Sequence, residues 1–400
     1  MTHEPMAVTG LGFTLPGLVT TVDGFWERIR GGHPALRPCT VHDRITVMAG
    51  QLGHDPVVAG LNPAHEKKYS RDILATMASI GQALEDAGLP MTDPGRIAIA
   101  AASSRGPMAW WSRRECAGTG IGSVINGLAG TPASMAAIHF GIRGMVSTLS
   151  SACVSGAHAL RLAAAQLADG EADAVVVAGH DFPLTAEFVA TYCDPATRVI
   201  SVGRTVETSI RPYDIDRDGT TFGEGAVSLI VERESDARAR GARIYACISA
   251  IGNGNEADHP TSMDKTGVKT EQLARRVVQR AGLSTADIDY VCGHGTGTRL
   301  NDLSESRAVR GLLGEQTDVP LTSVKPVFGH LLGASTLINV AATALMIRHQ
   351  TVAPTANCRQ PDPECGLDPV SGAARSRTID AALSLGFSIG GNTSVIAMTR

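Results

Sequence analysis

The sequence predicts an α/β fold built from two related halves, residues 1–233 and 234–400, and three observations carry that reading. One pattern occurs twice. Residues 75–103 run from a helical segment through Ala87-Gly-Leu and a turn with Asp93 to a short apolar strand, and residues 272–298 repeat that order through Ala281-Gly-Leu and Asp287. Each copy is followed by a helix of small residues, 151–170 and 327–347, and each half ends on a glycine-led strand, 223–232 and 390–399. Continuous apolar runs such as Ala174–Ala178 and Ser228–Val231 read as strands covered on both faces.

In chain order, each element has a local reason. The first repeated helix stops at Gly88, and the strand after it ends at Ser103. The alanine-rich 151–170 helix opens just after Cys153, and Ala174–Ala178 follows as a buried strand. Pro183–Thr208 is a long irregular candidate, and Arg359–Ser371, rich in Pro, Cys and Gly, is the most loop-like segment. In the second half, strand Ile288–Cys292 leads into His294, and His330 stands at the mouth of the second small-residue helix. Strands alternating with helices imply sheets with helices on their faces. Two copies half a chain apart pack as a pseudo-twofold pair, because a solenoid needs at least about three adjacent repeats.

Composition sets outer bounds. At roughly 150 residues per domain, 400 residues make two or three domain-sized units, with a core mostly of Ala, Val, Leu and Gly. The 35 basic and 39 acidic side chains leave no electrostatic footprint for nucleic acid and no polybasic arm for a membrane. No apolar stretch approaches the ~18 residues of a spanning helix, and Met1–Gly10 has no leader pattern, so a cytoplasmic protein is expected. The eight cysteines are scattered without a paired or zinc-type spacing, which predicts reduced thiols, no metal site and no disulfide framework.

Chemistry concentrates at three residues. Cys153 precedes a helix, where the macrodipole and free N–H groups favour thiolate, whereas an unperturbed thiol of pKa about 8.5 is only about 3% ionised at pH 7. Open α/β sheets gather active groups at strand ends and helix starts, the settings of His294 and His330. A pseudo-twofold brings the helix openings at Cys153 and His330 together. One cysteine and two histidines can carry out acyl transfer, the cysteine as nucleophile and the histidines as proton carriers or oxyanion donors.

Six motifs stand in order along the chain. They are Val8-Thr-Gly-Leu-Gly, Ser151-Ala-Cys-Val-Ser-Gly, Arg211-Pro-Tyr-Asp-Ile-Asp-Arg-Asp-Gly with Gly223-Glu-Gly-Ala, His294-Gly-Thr-Gly-Thr with Asn301-Asp-Leu-Ser-Glu305, Ser323-Val-Lys-Pro with Gly329-His, and a terminal Gly-Gly strand. In these the chain resembles the β-ketoacyl-acyl-carrier-protein synthases, the ketosynthases of the thiolase-fold superfamily. The resemblance implies a five-layer αβαβα sandwich and a decarboxylative Claisen condensation. An acyl group on Cys153 has its oxyanion held by the backbone N–H groups of Cys153 and Ile389, and His294 and His330 assist decarboxylation of malonyl-carrier protein. Lys325 matches the family's active-site lysine and Glu305 a buried acid of its network, with a structural ion pair as the competing reading. Thr296 and Thr298 match pantetheine-binding threonines, and Phe387 and Ile389 border the acyl site. Lys67, Lys68 and Arg71, with Arg211 as a further candidate, match positions that dock an acidic acyl carrier protein. No cofactor is implied beyond the carrier's phosphopantetheine. The implied partners are that carrier and, in a dimer, a second copy or a ketosynthase-like sister subunit.

Two departures bear on substrate. The family's usual Phe-Gly-Phe-Gly-Gly-Thr-Asn corresponds to Phe387-Ser-Ile389-Gly-Gly-Asn-Thr393, so Ile389 replaces an aromatic gate, and Ser104–Met135, with Trp110 and Trp111, departs from the pattern. With 30 arginines to five lysines, the altered gate points to polyketide or other specialised acyl assembly. Alternatives are an acyltransferase or cyclase using the acyl-cysteine without extension, a housekeeping fatty-acid synthase enzyme, and a non-enzymatic chain-length-factor-like subunit. The glutamate and aspartates Glu224, Asp216 and Asp218 are read as structural rather than as metal ligands.

Overall fold

The structure is a computed structural model that describes residues 4–41, 45–112, 120–196 and 199–400. Ten strands hydrogen-bond in one continuous order made of two five-strand sets. In the first, Val146–Leu149, Ile97–Ala102, Ala174–Asp181, Gly225–Arg233 and Met6–Thr14 lie side by side. Two parallel pairings are followed by two antiparallel ones. The second set, Leu321–Thr322, Tyr290–Cys292, Ala381–Phe387, Asn392–Thr399 and Ala246–Asn255, repeats that sequence of pairings. The sets meet where Met6, Ala7 and Val8 pair antiparallel with Ile248, Cys247 and Ala246.

Side-chain alternation on these strands builds the layers. Ala98, Ala100 and Ala102 enter the central core while Ile97, Ile99 and Ala101 enter an outer one beneath helix Arg71–Ala87. On the other half, Ala382 and Ile396 face the centre, and Leu383, Leu385 and Val395 face an outer core with helix Val268–Arg280. Helices Ser155–Ala168 and Ser335–His349 fill the middle, giving the five layers αβαβα. The small residues allow close approach there: a Cβ added at Gly156 would lie 2.9 Å from Leu337 Cγ, and one at Gly179 would lie 2.9 Å from Ala334 Cα.

Two local expectations change. Pro183–Thr208 is not wholly irregular: helix Ala186–Cys193 forms within it because the Thr185 hydroxyl caps Phe188 N–H at 3.3 Å and Phe188 and Val189 are buried. The strand expected from Ile288 begins only at Tyr290, since Ser284 and Asp287 cap a short turn of 3₁₀ helix just before it. Among the described residues, no helix is long and apolar enough to cross a membrane, and the seven described cysteines are free thiols.

Candidate active site

Cys153 stands on a tight turn between strand Val146–Leu149 and helix Ser155–Ala168. Ser155 builds the turn: its hydroxyl accepts from Ser151 N–H at 2.8 Å and donates to the Ala152 carbonyl at 2.6 Å, while Ala152 takes a left-handed φ of 51°. The second central helix supplies the counterpart. Ser335 Oγ lies 2.8 Å from His330 Nδ1, and the Thr336 hydroxyl donates to the Cys153 carbonyl at 3.2 Å. The two helix openings thus converge, leaving His330 Nε2 3.2 Å from Cys153 Sγ.

His294 completes the set. Its ring centroid is 5.3 Å from that of His330, at an interplanar angle of 88°, and 5.6 Å from Phe387. Its peptide is gripped from both sides: the Lys325 ammonium donates to the His294 carbonyl and lies 3.4 Å from Nδ1, while Glu305 accepts the N–H groups of His294 and Gly295. Tyr213 donates to the same carboxylate at 2.9 Å. Lys325 and Glu305 therefore clamp one backbone segment rather than forming a direct ion pair.

Electrostatics sort these groups by protonation. Burial, reinforced by the Lys325 charge, holds both histidines well below the usual imidazole range, so they are neutral at pH 7. Although part of Cys153 stays accessible, the protein packed around its sulfur pushes the thiol up to about 12, opposed by Lys325, furthered by Asp181 and opposed again by Arg105. The expected thiolate is thus not the resting form: the helix starts two residues beyond the sulfur, and desolvation outweighs its dipole. Burial raises Glu305 to about 7 against the pull of its two N–H donors, and lowers Lys325 despite Glu305 nearby.

The remaining expected residues divide. Thr296 and Thr298 hydroxyls lie 2.9 Å apart on the loop after His294. Phe387 is buried, and Ile389, two residues on, is 47% exposed where an aromatic gate was absent from the sequence. Among the described residues the Ile389 N–H has no backbone acceptor, and the Cys153 N–H is directed at its own sulfur. Lys67 and Lys68 are exposed, but Arg71 turns inward to the Leu52 and His54 carbonyls and to Glu224 at 3.5 Å. Arg211 likewise binds the Asp216 carbonyl and lies 3.7 Å from Asp218. Glu224 and Asp218 take separate partners, Leu52 N–H and the Ser201 hydroxyl.

Four groups went unnoticed in the sequence. Ser335 and Thr336 follow His330 within six residues, a visible signal at a helix start. Asp181, at a strand end, accepts from Ser103 Oγ at 3.0 Å and from the N–H groups of Ser104 and Gly333, with burial raising it to about 6. Arg105 follows the neighbouring strand end and stacks on Phe188.

Comparison with known proteins agrees with this geometry. The family model for the beta-ketoacyl synthase N-terminal domain matches residues 3–237, and that for the C-terminal domain matches residues 245–359. A putative polyketide beta-ketoacyl synthase 1 of Streptomyces cyaneus is 33% identical, covering 98% of this chain and 97% of its own. The tetracenomycin polyketide synthase ketoacyl synthase alpha subunit of Streptomyces glaucescens is 32% identical over 100% of this chain and 97% of its own. Among solved structures, a type II polyketide ketosynthase bound to its acyl-carrier protein and a hexaketide matches with a TM-score of 0.89 and 26% identity, covering 99% of both chains. A beta-ketoacyl synthase from Burkholderia phymatum matches at 0.87 and 27%, again over 99% of each. Matched in order across both halves, this chain belongs to the β-ketoacyl synthase family of acyl-transferring enzymes.

Proposed function

We propose that the chain is a polyketide β-ketoacyl synthase that carries an acyl group on Cys153 and extends it with malonyl units delivered by an acyl carrier protein. The observation that carries this reading is the contact of Cys153, from the half 1–233, with His330, from the half 234–400, beside a neutral His294. With Nδ1–H donating to Ser335, His330 Nε2 accepts the thiol proton as sulfur attacks the pantetheine thioester. The N–H groups of Cys153 and Ile389 hold the oxyanion, and the proton passes to the departing pantetheine sulfur.

In the second half-reaction the histidines act as donors. The Lys325 ammonium beside His294 Nδ1 fixes the proton on Nε2, and Ser335, reversing its hydroxyl, does the same for His330. Both Nε2–H groups then hold the enolate oxygen as malonate loses carbon dioxide. The enolate carbon attacks the acyl-cysteine carbonyl, and the Cys153 sulfur leaves.

Exposed Lys67 and Lys68 offer the acidic carrier a docking patch, and Thr296 and Thr298 face its pantetheine arm. The reaction draws on no cofactor beyond that arm, and the chain works in the cytoplasm. The solved ishigamide ketosynthase/chain length factor, at 25% identity and a TM-score of 0.88, supports a paired assembly, with a second copy or a sister subunit. So do Ile138 and Met145, exposed beside the sheet-edge strand Val146–Leu149. The test supplies acyl- and malonyl-carrier proteins and follows Cys153 mass, β-ketoacyl product and carbon dioxide. All three are expected; acylation of Cys153 without carbon dioxide release contradicts chain extension.

A further inference from the structure

Asp181 is a buried carboxylate at the end of strand Ala174–Asp181 that the reaction drawn above does not use. Its Oδ1 accepts from Ser103 Oγ at 3.0 Å, and its Oδ2 accepts from the N–H groups of Ser104 at 2.9 Å and Gly333 at 2.6 Å. Ser103 and Ser104 follow the neighbouring strand Ile97–Ala102. Gly333 belongs to the other half, in the short 3₁₀ turn Leu332–Ala334 that separates His330 from Ser335. One side chain therefore ties the segment carrying the histidine to the strand ends of the cysteine half.

The fit of that turn is close. A Cβ added at Gly333 would lie 2.8 Å from Asp181 Oδ2 and 2.5 Å from Ser104 N, so a side chain there would push the turn off the carboxylate, and Leu332 takes a left-handed φ of 46°. On its other side His330 is pinned by backbone: its N–H donates to the Thr221 carbonyl at 2.7 Å, and its carbonyl accepts from Gly223 N–H at 3.1 Å. The strand end at Ser103 also backs the cysteine. The Ser103 hydroxyl accepts from Gly106 N–H at 3.0 Å, and its carbonyl lies 3.5 Å from Ser155 Oγ, the group that builds the Cys153 turn. Three donors converging on one buried side chain suit an acceptor-only carboxylate, whose charge strengthens each bond. Resting on the reading of His330 as proton acceptor for Cys153, we propose that Asp181 is a positioning residue for acyl transfer. Its carboxylate holds the His330–Ser335 segment against the strand end behind Cys153 and so keeps His330 Nε2 at 3.2 Å from Sγ. In this role it acts through His330 and exchanges no proton.

The test follows mass gain at Cys153 from butyryl- and octanoyl-N-acetylcysteamine by intact-mass spectrometry. It compares the wild type, Asp181→Ala, Asp181→Asn, His330→Ala and each Asp181 variant combined with His330→Ala. Asp181→Ala is expected to lower the maximal loading rate by about tenfold to a hundredfold with KM little changed. Asp181→Asn can turn its oxygen to the Ser104 and Gly333 N–H groups and its amide to the Ser103 hydroxyl, so it should lose only about fivefold. In the His330→Ala background either Asp181 variant should change the residual rate by less than about twofold, because the group it positions is gone. The asparagine pair carries this comparison in a variant that keeps most of the native hydrogen bonds, whatever the folding of Asp181→Ala. A wild-type rate in Asp181→Ala, or an effect of either variant as large without His330 as with it, overturns the proposal and leaves Asp181 a packing residue. Wild-type loading in His330→Ala instead overturns the proton-acceptor reading, and failure of the wild type to load overturns the acyl-cysteine reading; the proposal falls with either.

Discussion

The helices Ser155–Ala168 and Ser335–His349 occupy equivalent places in the two halves, and each opens on a serine that organises the turn before it, yet the reactive side chains they present differ. One presents a partly accessible cysteine on a strained turn; the other presents a buried, neutral histidine anchored by a serine. The shared backbone brings the two openings within hydrogen-bond reach, and in the reaction proposed above the divergent side chains decide that one attacks and the other handles the proton. Behind the histidine side lies a second device with no counterpart at the cysteine, the Lys325 and Glu305 clamp on the His294 peptide. Duplication supplies position here, and local substitution supplies chemistry.

The largest way to break this asymmetry is Lys325→Met. Removing the cation that fixes His294 is expected to lower condensation by about a hundredfold to a thousandfold, the scale of one lost oxyanion donor, while Cys153 acylation changes far less. Product formation and acyl-enzyme mass, measured separately, check it. Next is the shared scaffold: Gly156→Val drives a side chain into Leu337 and should cost about 1–3 kcal/mol, seen as a lower denaturation midpoint. Ser335→Ala removes one hydrogen bond from His330, about 1 kcal/mol, and should slow acyl transfer by roughly fivefold. The smallest test sharpens the cysteine side. With its thiol pushed up to about 12, alkylation of Cys153 should keep rising with pH through pH 9, whereas a plateau already at neutral pH indicates a preformed thiolate.

Much of this was legible in sequence because it depends on short-range pattern. The twice-written order of helix, turn and strand is enough to place Cys153 and His330 at equivalent helix starts, and His294 at a strand end. What was not legible depends on contacts between distant segments. Arg71 reads as an exposed helix-start cation, but its partners Leu52, His54 and Glu224 lie 17 to 153 residues away, and only the folded chain turns it inward. The hydroxyl of Thr336 on the Cys153 carbonyl spans 183 residues, and Asp181 reaches Gly333 across 152. The protonation of Cys153 depends on long-range contacts too: helix position is local, whereas desolvation is set by the whole packed interior.

The division of labour between the two sides is tested most directly in a single turnover of His294→Ala, with acyl-carrier protein and carboxyl-labelled malonyl-carrier protein supplied together. The expected outcome is acyl-Cys153 formed at close to the wild-type rate, with labelled carbon dioxide release reduced by about a hundredfold or more. Carbon dioxide release at the wild-type rate, or loss of acylation itself in a folded variant, contradicts the assignment of His294 to the second half-reaction.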